Sequence, residues 1–213
     1  MILLLSNHQY IRQSRFDLPG VLLAWLVSVV FLICPIMGFA DDIPLAALQH
    51  QHSLVGLNDF ALEGRMAVQY DGRGYSCQIH WHKTGDSQQI SLISPLGNTI
   101  ADINASADGV MLVTSDNKQY SAQDAEQLTE QILGWPLPVR LLHDWILGRP
   151  APGPVIAQQW DSAGKLIKLN QSDWSVEYAE YKEVEKYSLP TKLTLRHPKI
   201  YLRFIIDDWQ VML

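Results

Sequence analysis

The sequence predicts a mainly β fold: a long, curved antiparallel sheet of about ten or eleven strands, with two or three helices against its concave face. Apolar and polar residues alternate along much of residues 60–211, which is the period of a strand with one buried face. Turn signals rich in Gly, Asp and Asn separate these segments. A sheet of this length curls, and the curl leaves a hollow that helices fill only in part.

The first two strands have the clearest alternation. In the second, Cys77 and Trp81 share one face, while His80 and His82 share the other. Residues 71–74 supply the turn that precedes it. Further strands are predicted at residues 88–93, 99–105, 110–114, 165–170, 174–178, 193–195, 200–206 and 207–211.

Three segments have helical spacing. Residues 41–58 form a linker that runs into a helix, whose spaced residues are Leu45, Leu48, His52 and Val55. A second helix is predicted to open at Ser121, to run through Leu133 and to stop at Gly134. A third, unusually apolar helix covers residues 139–147 and contains Leu141, Leu142, Trp145 and Ile146. A Pro/Gly-rich linker follows it at residues 148–154.

The first 40 residues indicate export. Arg12 and Arg15 precede an uncharged, largely apolar stretch at residues 18–40, which ends in small residues at Ala40. We therefore predict that residues 1–40 are a signal or anchor segment and that residues 59–213 form the functional domain. Three forms of the N-terminus stay open: cleavage after Ala40, lipidation of Cys34, or retention of the stretch as a membrane anchor.

Composition narrows the function classes. The formal net charge is -6, and no run of Lys and Arg marks a phosphate-binding surface, so we expect no nucleic-acid partner. Hydrophobic residues make up 47% of the chain, and seven Trp and eight Tyr suit a large core or an apolar pocket.

Catalytic and metal-binding patterns are weak. His80 and His82 supply two ligands on one strand face, whereas a zinc site needs three or four. The sequence has no Gly-x-Ser-x-Gly motif, and Cys77 lies on an apolar strand face, where a thiol is inert. Neighbouring carboxylates such as Asp207 and Asp208 point to opposite faces of a strand. We expect no enzyme activity, no metal and no cofactor.

Six segments, in this order and spacing, resemble the LolB family of outer-membrane lipoproteins, which receive lipoproteins from the periplasmic carrier LolA. They are LEGRMAV at residues 62–68, SPLG at 94–97, LGWPLP at 133–138, LHDWILG at 142–148, WSVEY at 174–178 and IDDW at 206–209. Each segment alone is a weak signal, but together they cover nearly all of residues 60–211. The chain departs from the family pattern before Cys34, where Ile33 is bulkier than the small residue expected before a lipidated cysteine.

The resemblance implies an unclosed antiparallel β-barrel whose helices cap an apolar cavity for acyl chains. From strand face and helix position, we predict that the cavity walls include Phe60, Met66, Trp81, Ile90, Leu92, Leu142, Trp145 and Trp174. Periodicity alone favours a solid core at these positions, and only the resemblance favours a cavity. The resemblance also implies a protruding loop that inserts cargo into the membrane, with Leu96 as its exposed residue between Pro95 and Gly97. Pro95 fixes φ and Gly97 permits a positive φ, which favours a tight turn.

The expected partners are lipoprotein acyl chains, a LolA-like periplasmic carrier and the lipid surface of the outer membrane. We expect a monomer on the periplasmic face of that membrane. Three alternative functions stay open: a soluble periplasmic carrier of lipids or hydrophobic small molecules, a periplasmic hydrolase, and a purely structural module of the cell envelope.

Overall fold

The computed structural model describes residues 43–212. The predicted signal or anchor segment, including Cys34, lies outside this range. Within the described range, no helix is both long enough and apolar enough to cross a membrane.

Eleven strands form one antiparallel sheet. They are β1 Phe60–Tyr70, β2 Arg73–Thr84, β3 Ser87–Ile93, β4 Thr99–Ser106, β5 Gly109–Thr114, β6 Gln119–Ala122, β7 Val155–Trp160, β8 Leu166–Gln171, β9 Trp174–Val184, β10 Tyr187–His197 and β11 Ile200–Val211. Their spatial order is β6-β5-β4-β3-β2-β1-β11-β10-β9-β8-β7. The first and last strands in the sequence therefore meet at the centre of the sheet, and all other neighbours are joined by hairpins.

The barrel is unclosed between β6 and β7, which are the two edges of the sheet. Three helices accompany it: α1 Leu45–Leu54, α2 Ala125–Leu133 and α3 Val139–Ile146. Helices α2 and α3 occur in the sequence between β6 and β7, so the chain crosses from one edge to the other as helix. This arrangement confirms the predicted mainly β, unclosed architecture and its numbers of strands and helices.

Two strands were missing from the sequence-based prediction, and one predicted helix start was wrong. Residues 119–122 pair with β5 instead of opening a helix, and α2 begins at Ala125, where the Asp124 carboxylate accepts a hydrogen bond from the Gln127 amide at 2.8 Å. Strand β7 pairs only with β8. It contains two glutamines and two register irregularities, so its alternation is weak.

Helix α1 packs with a face other than the one that its apolar spacing suggests. Ala47 and Leu54 are buried, whereas the spaced residues Leu45, Leu48 and Val55 are exposed. The β7–β8 turn explains this orientation, because Gly164 lies against the backbone of Ala46 and a side chain there would collide with it. The close backbone contact at Gly164 and the burial of Ala47 and Leu54 together orient this helix.

Candidate functional site

The concave interior contains all eight side chains predicted to line a cavity. Each is between 0% and 7% exposed, and all belong to one continuous apolar cluster. Aromatic rings meet within this cluster: Phe60 lies 5.6 Å from Trp81 and 5.5 Å from Trp209, centroid to centroid. In this conformation these side chains fill the interior with one another. Their role as the walls of an acyl-chain cavity stays a prediction.

The C-terminal half of α3 is fixed to the sheet by a buried polar network. The indole N–H of Trp145 donates to Gln171 Oε1 at 2.9 Å, and the Tyr178 hydroxyl donates to the Trp145 carbonyl at 3.0 Å. Gln171 also pairs with the backbone of Ala151, donating at 2.7 Å and accepting at 3.0 Å. Satisfied buried networks of this kind hold an element in one position.

A buried ion pair connects α3 with the end of α1. Arg149 Nε lies 2.7 Å from Asp144 Oδ1, and Asp144 is only 4% exposed. The same guanidinium donates to the carbonyl oxygens of Leu54 and Leu57. Burial lowers the pKa of the adjacent His143, although its Nε2 lies 3.2 Å from Asp144 Oδ2. The third helix is thus anchored on two sides.

Helix α2 has a different set of contacts. It packs against the edge strand β6, against the neighbouring strand β5 and against α3. Buried Thr129 accepts a hydrogen bond from the Leu137 amide at 2.8 Å, which fixes the loop that joins α2 to α3. At the exposed end of α2, Glu130 accepts a hydrogen bond from the Tyr70 hydroxyl, whose residue ends β1. One exposed side-chain contact therefore links this helix to the central strand.

A cleft of about 360 Å³ lies where the two halves of the sheet face each other across the helices. Its walls include the β2–β3 and β4–β5 turns on one side and the β8–β9 turn on the other, with residues from the starts of α2 and α3 between them. Trp174 lines the cleft and also packs on Trp145 at a centroid distance of 6.0 Å. Glu126 lines it too, and its pKa is raised by burial and by the nearby Asp124. Through Trp174, this cleft borders the apolar interior.

The SPLG segment forms a compact protruding hairpin loop. The Gly97 amide donates to the Ser94 carbonyl at 2.9 Å, and the Ser94 amide donates to the Asn98 carbonyl at 2.8 Å. Gly97 has a φ of 85°, which a residue with a side chain rarely adopts. Leu96, at the tip, is 89% exposed, the largest value among the exposed large hydrophobic residues of the described chain. Its burial would remove a sizeable apolar surface from water.

The histidines and carboxylates that suggested metal binding or catalysis lie on the outer face of the sheet. On the convex face of the sheet, His80 and His82 line a hollow of about 240 Å³ together with Glu63 and Asp208. In residues 43–212, no group of three or more His, Cys, Asp or Glu side chains is placed to hold a metal ion. Burial raises the pKa of the Cys77 thiol to about 11, which keeps it protonated and unreactive at neutral pH.

Sequence reasoning missed the polar groups that hold the helices in place. Gln171, Asp144 and Arg149 have no distinctive local pattern. Gln171 has its indole partner on α3, and Arg149 joins nearby Asp144 to the distant end of α1. A buried Gln in an otherwise alternating strand is a weak signal for such a role, because buried polar side chains require partners.

Comparisons with known proteins identify relatives over most of the chain. Residues 58–209 match the family model described as outer membrane lipoprotein LolB. The outer-membrane lipoprotein LolB of Nitrosococcus oceani is 37% identical over 164 residues, covering 76% of this chain and 82% of that protein. The Nitrosomonas europaea protein of the same name is 37% identical over 175 residues, covering 81% and 82%.

A solved structure shares the fold at much lower sequence identity. A LolA superfamily protein from Nitrosomonas europaea superposes with a TM-score of 0.50 at 8% identity, covering 78% of this chain and 92% of that one. At this level of identity the similarity shows the fold alone.

Proposed function

The chain belongs to the LolB family of outer-membrane lipoproteins, and we propose on that premise that it receives lipoproteins from a LolA-like periplasmic carrier and inserts them into the outer membrane. The observation that carries the proposal is the continuous apolar interior beneath two helices, next to a cleft between the sheet halves. Acyl chains are bound there without covalent chemistry.

The energetics favour shielded transfer. Burying one CH₂ group is worth about 0.8 kcal/mol, so a long acyl chain in water costs on the order of 10 kcal/mol. An apolar interior offsets this cost while the cargo is between membranes. Handover then proceeds from weaker to stronger binding and ends in the bilayer, with no need for nucleotide hydrolysis.

Entry of acyl chains requires the closely packed interior to open. Helix α2 is the element we expect to move, because α3 is held by Gln171, Tyr178 and the Asp144–Arg149 pair. The contact between Tyr70 and Glu130 must then break, whereas the α3 network stays in place. Chains that enter through the cleft would displace or rearrange side chains such as Trp174 and Leu142.

The proposed movement of α2 can be tested by a reversible cross-link. Joining Tyr70→Cys to Glu130→Cys with a cleavable thiol-specific linker should abolish lipoprotein uptake, and cleavage of the linker should restore it. A matched linker between Lys168→Cys and Glu177→Cys, which face each other on β8 and β9, should leave uptake unchanged. Normal uptake by the 70–130 cross-linked protein would exclude movement of α2.

The loop at Leu96 delivers cargo into the membrane. Fully burying one leucine is worth about 1.5–3 kcal/mol, which supports a transient contact with a bilayer and not a permanent anchor. Attachment itself is proposed to come from lipid on Cys34. Mass spectrometry of the mature protein distinguishes that form from a chain that begins at Asp41 and from one that retains its apolar segment.

The deciding experiment is transfer between proteins. The purified chain is mixed with a LolA-like carrier loaded with a triacylated lipoprotein, and the cargo on each protein is measured after separation. Transfer to this chain is the expected result. Cargo that stays on the carrier would refute the receptor function, and uptake of free lipid without lipoprotein would favour the soluble lipid carrier.

A further inference from the structure

We propose that the convex face beside the Leu96 loop carries a binding site for the anionic head groups of membrane lipids, formed by Arg73, Arg196, Lys199 and Arg203. The inference rests on the proposed function, since it concerns how the insertion loop meets the bilayer. These four residues are here called the basic site.

The sheet register brings the basic site together from distant parts of the sequence. Tyr70 pairs with Arg73 on one side and with Ile200 on the other, so the β1–β2 and β10–β11 turns are neighbours. Between these turns lies a hollow of about 560 Å³, lined by Arg73, Arg196 and Lys199. A phosphate group is accommodated in such a space, and arginine presents several N–H donors in a geometry that matches phosphate.

The basic site continues to the insertion loop. Arg196 and Arg203 both lie over the ring of Tyr201, at 4.9 Å and 5.9 Å from its centroid. Arg203 also lines a second, mainly apolar hollow of about 260 Å³, whose wall includes Pro95 of the loop. The most exposed apolar side chain and the basic site therefore belong to one continuous surface.

The local charge is opposite to that of the whole molecule. The chain has a formal net charge of -6, yet all four members of the basic site are exposed cations. Only Arg196 has an acidic partner, Glu177 at 3.6 Å; the other three form no ion pair within residues 43–212. Asp71 is the one carboxylate that lines the larger hollow.

A membrane surface satisfies both parts of this face. Cations attract anionic head groups, while the leucine enters the boundary between head groups and acyl chains. A nucleic acid offers phosphate but no apolar phase for Leu96. Each cation near an anionic membrane strengthens attachment by about fivefold.

The test measures how fast the full chain, loaded with lipoprotein, releases its cargo into vesicles. One vesicle set contains phosphatidylethanolamine alone, and the other also contains phosphatidylglycerol. The variant Arg73→Gln/Lys199→Gln/Arg203→Gln removes three cations from the basic site. The control Lys168→Gln/Lys182→Gln/Lys186→Gln changes the net charge equally but alters β8, β9 and the β9–β10 turn.

The unmodified chain and the control should release cargo faster into the anionic vesicles, and added salt should weaken this preference. For the basic-site variant, the ratio of the release rate into anionic vesicles to that into phosphatidylethanolamine vesicles should fall about tenfold or more. Equal loss in the control, or an unchanged preference in the basic-site variant, would overturn the inference. Millimolar inorganic phosphate should not abolish the preference for anionic vesicles. If it did so as effectively as added phosphatidylglycerol, the inference would be overturned, because the site would then bind the free ion.

Uptake of lipoprotein from the carrier is measured in solution for every variant, without vesicles. Normal uptake combined with an unchanged lipid preference would refute the basic site and leave the receptor function standing. Absent uptake in the unmodified chain would refute the receptor function instead.

Discussion

The two faces of this sheet use leucine in opposite ways. Leu142, on the concave side, is fully buried, whereas Leu96, in the loop that projects from the sheet, is 89% exposed. Leu142 contributes to the stability of the fold, and replacing it would lower the free energy of unfolding. Leu96 contributes little to the stability of the folded state, so this side chain is available for contact with a membrane. The comparison predicts that stability and insertion depend on separate sets of residues.

The largest stability effect is expected in the interior. Trp145→Ala should lower the free energy of unfolding by about 3–5 kcal/mol, because it leaves a large cavity and removes the hydrogen bond to Gln171. Denaturant titration followed by circular dichroism measures this loss. The exposed Ile156→Ala, at a residue 71% accessible, is the control and should change stability by less than about 0.5 kcal/mol. Similar losses in the two variants would contradict the division between faces.

The buried ion pair should give the next largest effect. Asp144→Ala leaves the Arg149 guanidinium without its carboxylate in a buried position, at a cost of about 3 kcal/mol. The carbonyl oxygens of Leu54 and Leu57 keep the loss near the lower end of the usual range. The exposed pair Arg65–Asp207 is the control, and Asp207→Ala should cost less than about 1 kcal/mol by the same titration.

A substitution in the Leu96 loop should impair cargo release and leave stability almost unchanged. Leu96→Glu should change the free energy of unfolding by less than about 0.5 kcal/mol, since the side chain makes no buried contact. Release of cargo into liposomes should slow at least about tenfold, because an apolar contact is replaced by a charge that must be desolvated. Uptake from the carrier should be unchanged. A variant that releases cargo as fast as the unmodified chain would disprove the role of the loop.

The smallest effect is expected from pH. Burial lowers the pKa of His50, whose Nε2 lies 3.3 Å from the Ser188 carbonyl. Below the ordinary histidine pKa of about 6.5, the unfolded chain takes up a proton that the folded chain resists, so stability should fall as the pH drops through this value. His50→Gln should make the decline shallower than in the unmodified chain, and an unchanged decline would contradict the assignment to His50. Unfolding titrations at several pH values between 5 and 8 test this.

The sequence predicted what depends on short-range order. Alternation along β1 and β2 identified Trp81 and Met66 as inward-facing, and the Pro95–Leu96–Gly97 segment indicated a tight turn before any fold was known. Ser121 predicts the start of a helix, but the structure has strand β6 there, because pairing with β5 outweighs the local preference of Ser121.

Long-range proximity was beyond such reasoning. Arg73 and Lys199 are far apart in the chain, and only the pairing of β1 with β11 makes them neighbours. The outward orientation of Leu45 and Leu48 depends similarly on the close backbone contact at Gly164. Residues whose roles depend on partners in other elements become visible only once the topology is known.

The central position of β1 and β11 also constrains how the molecule folds after export. Because the first strand pairs with the last, the middle of the sheet cannot assemble until the C-terminal residues have crossed the inner membrane. Contacts so distant in sequence form slowly, and the half-formed sheets expose unpaired edges meanwhile. Until β1 and β11 pair, an exported chain of this topology therefore needs protection from aggregation through its exposed strand edges.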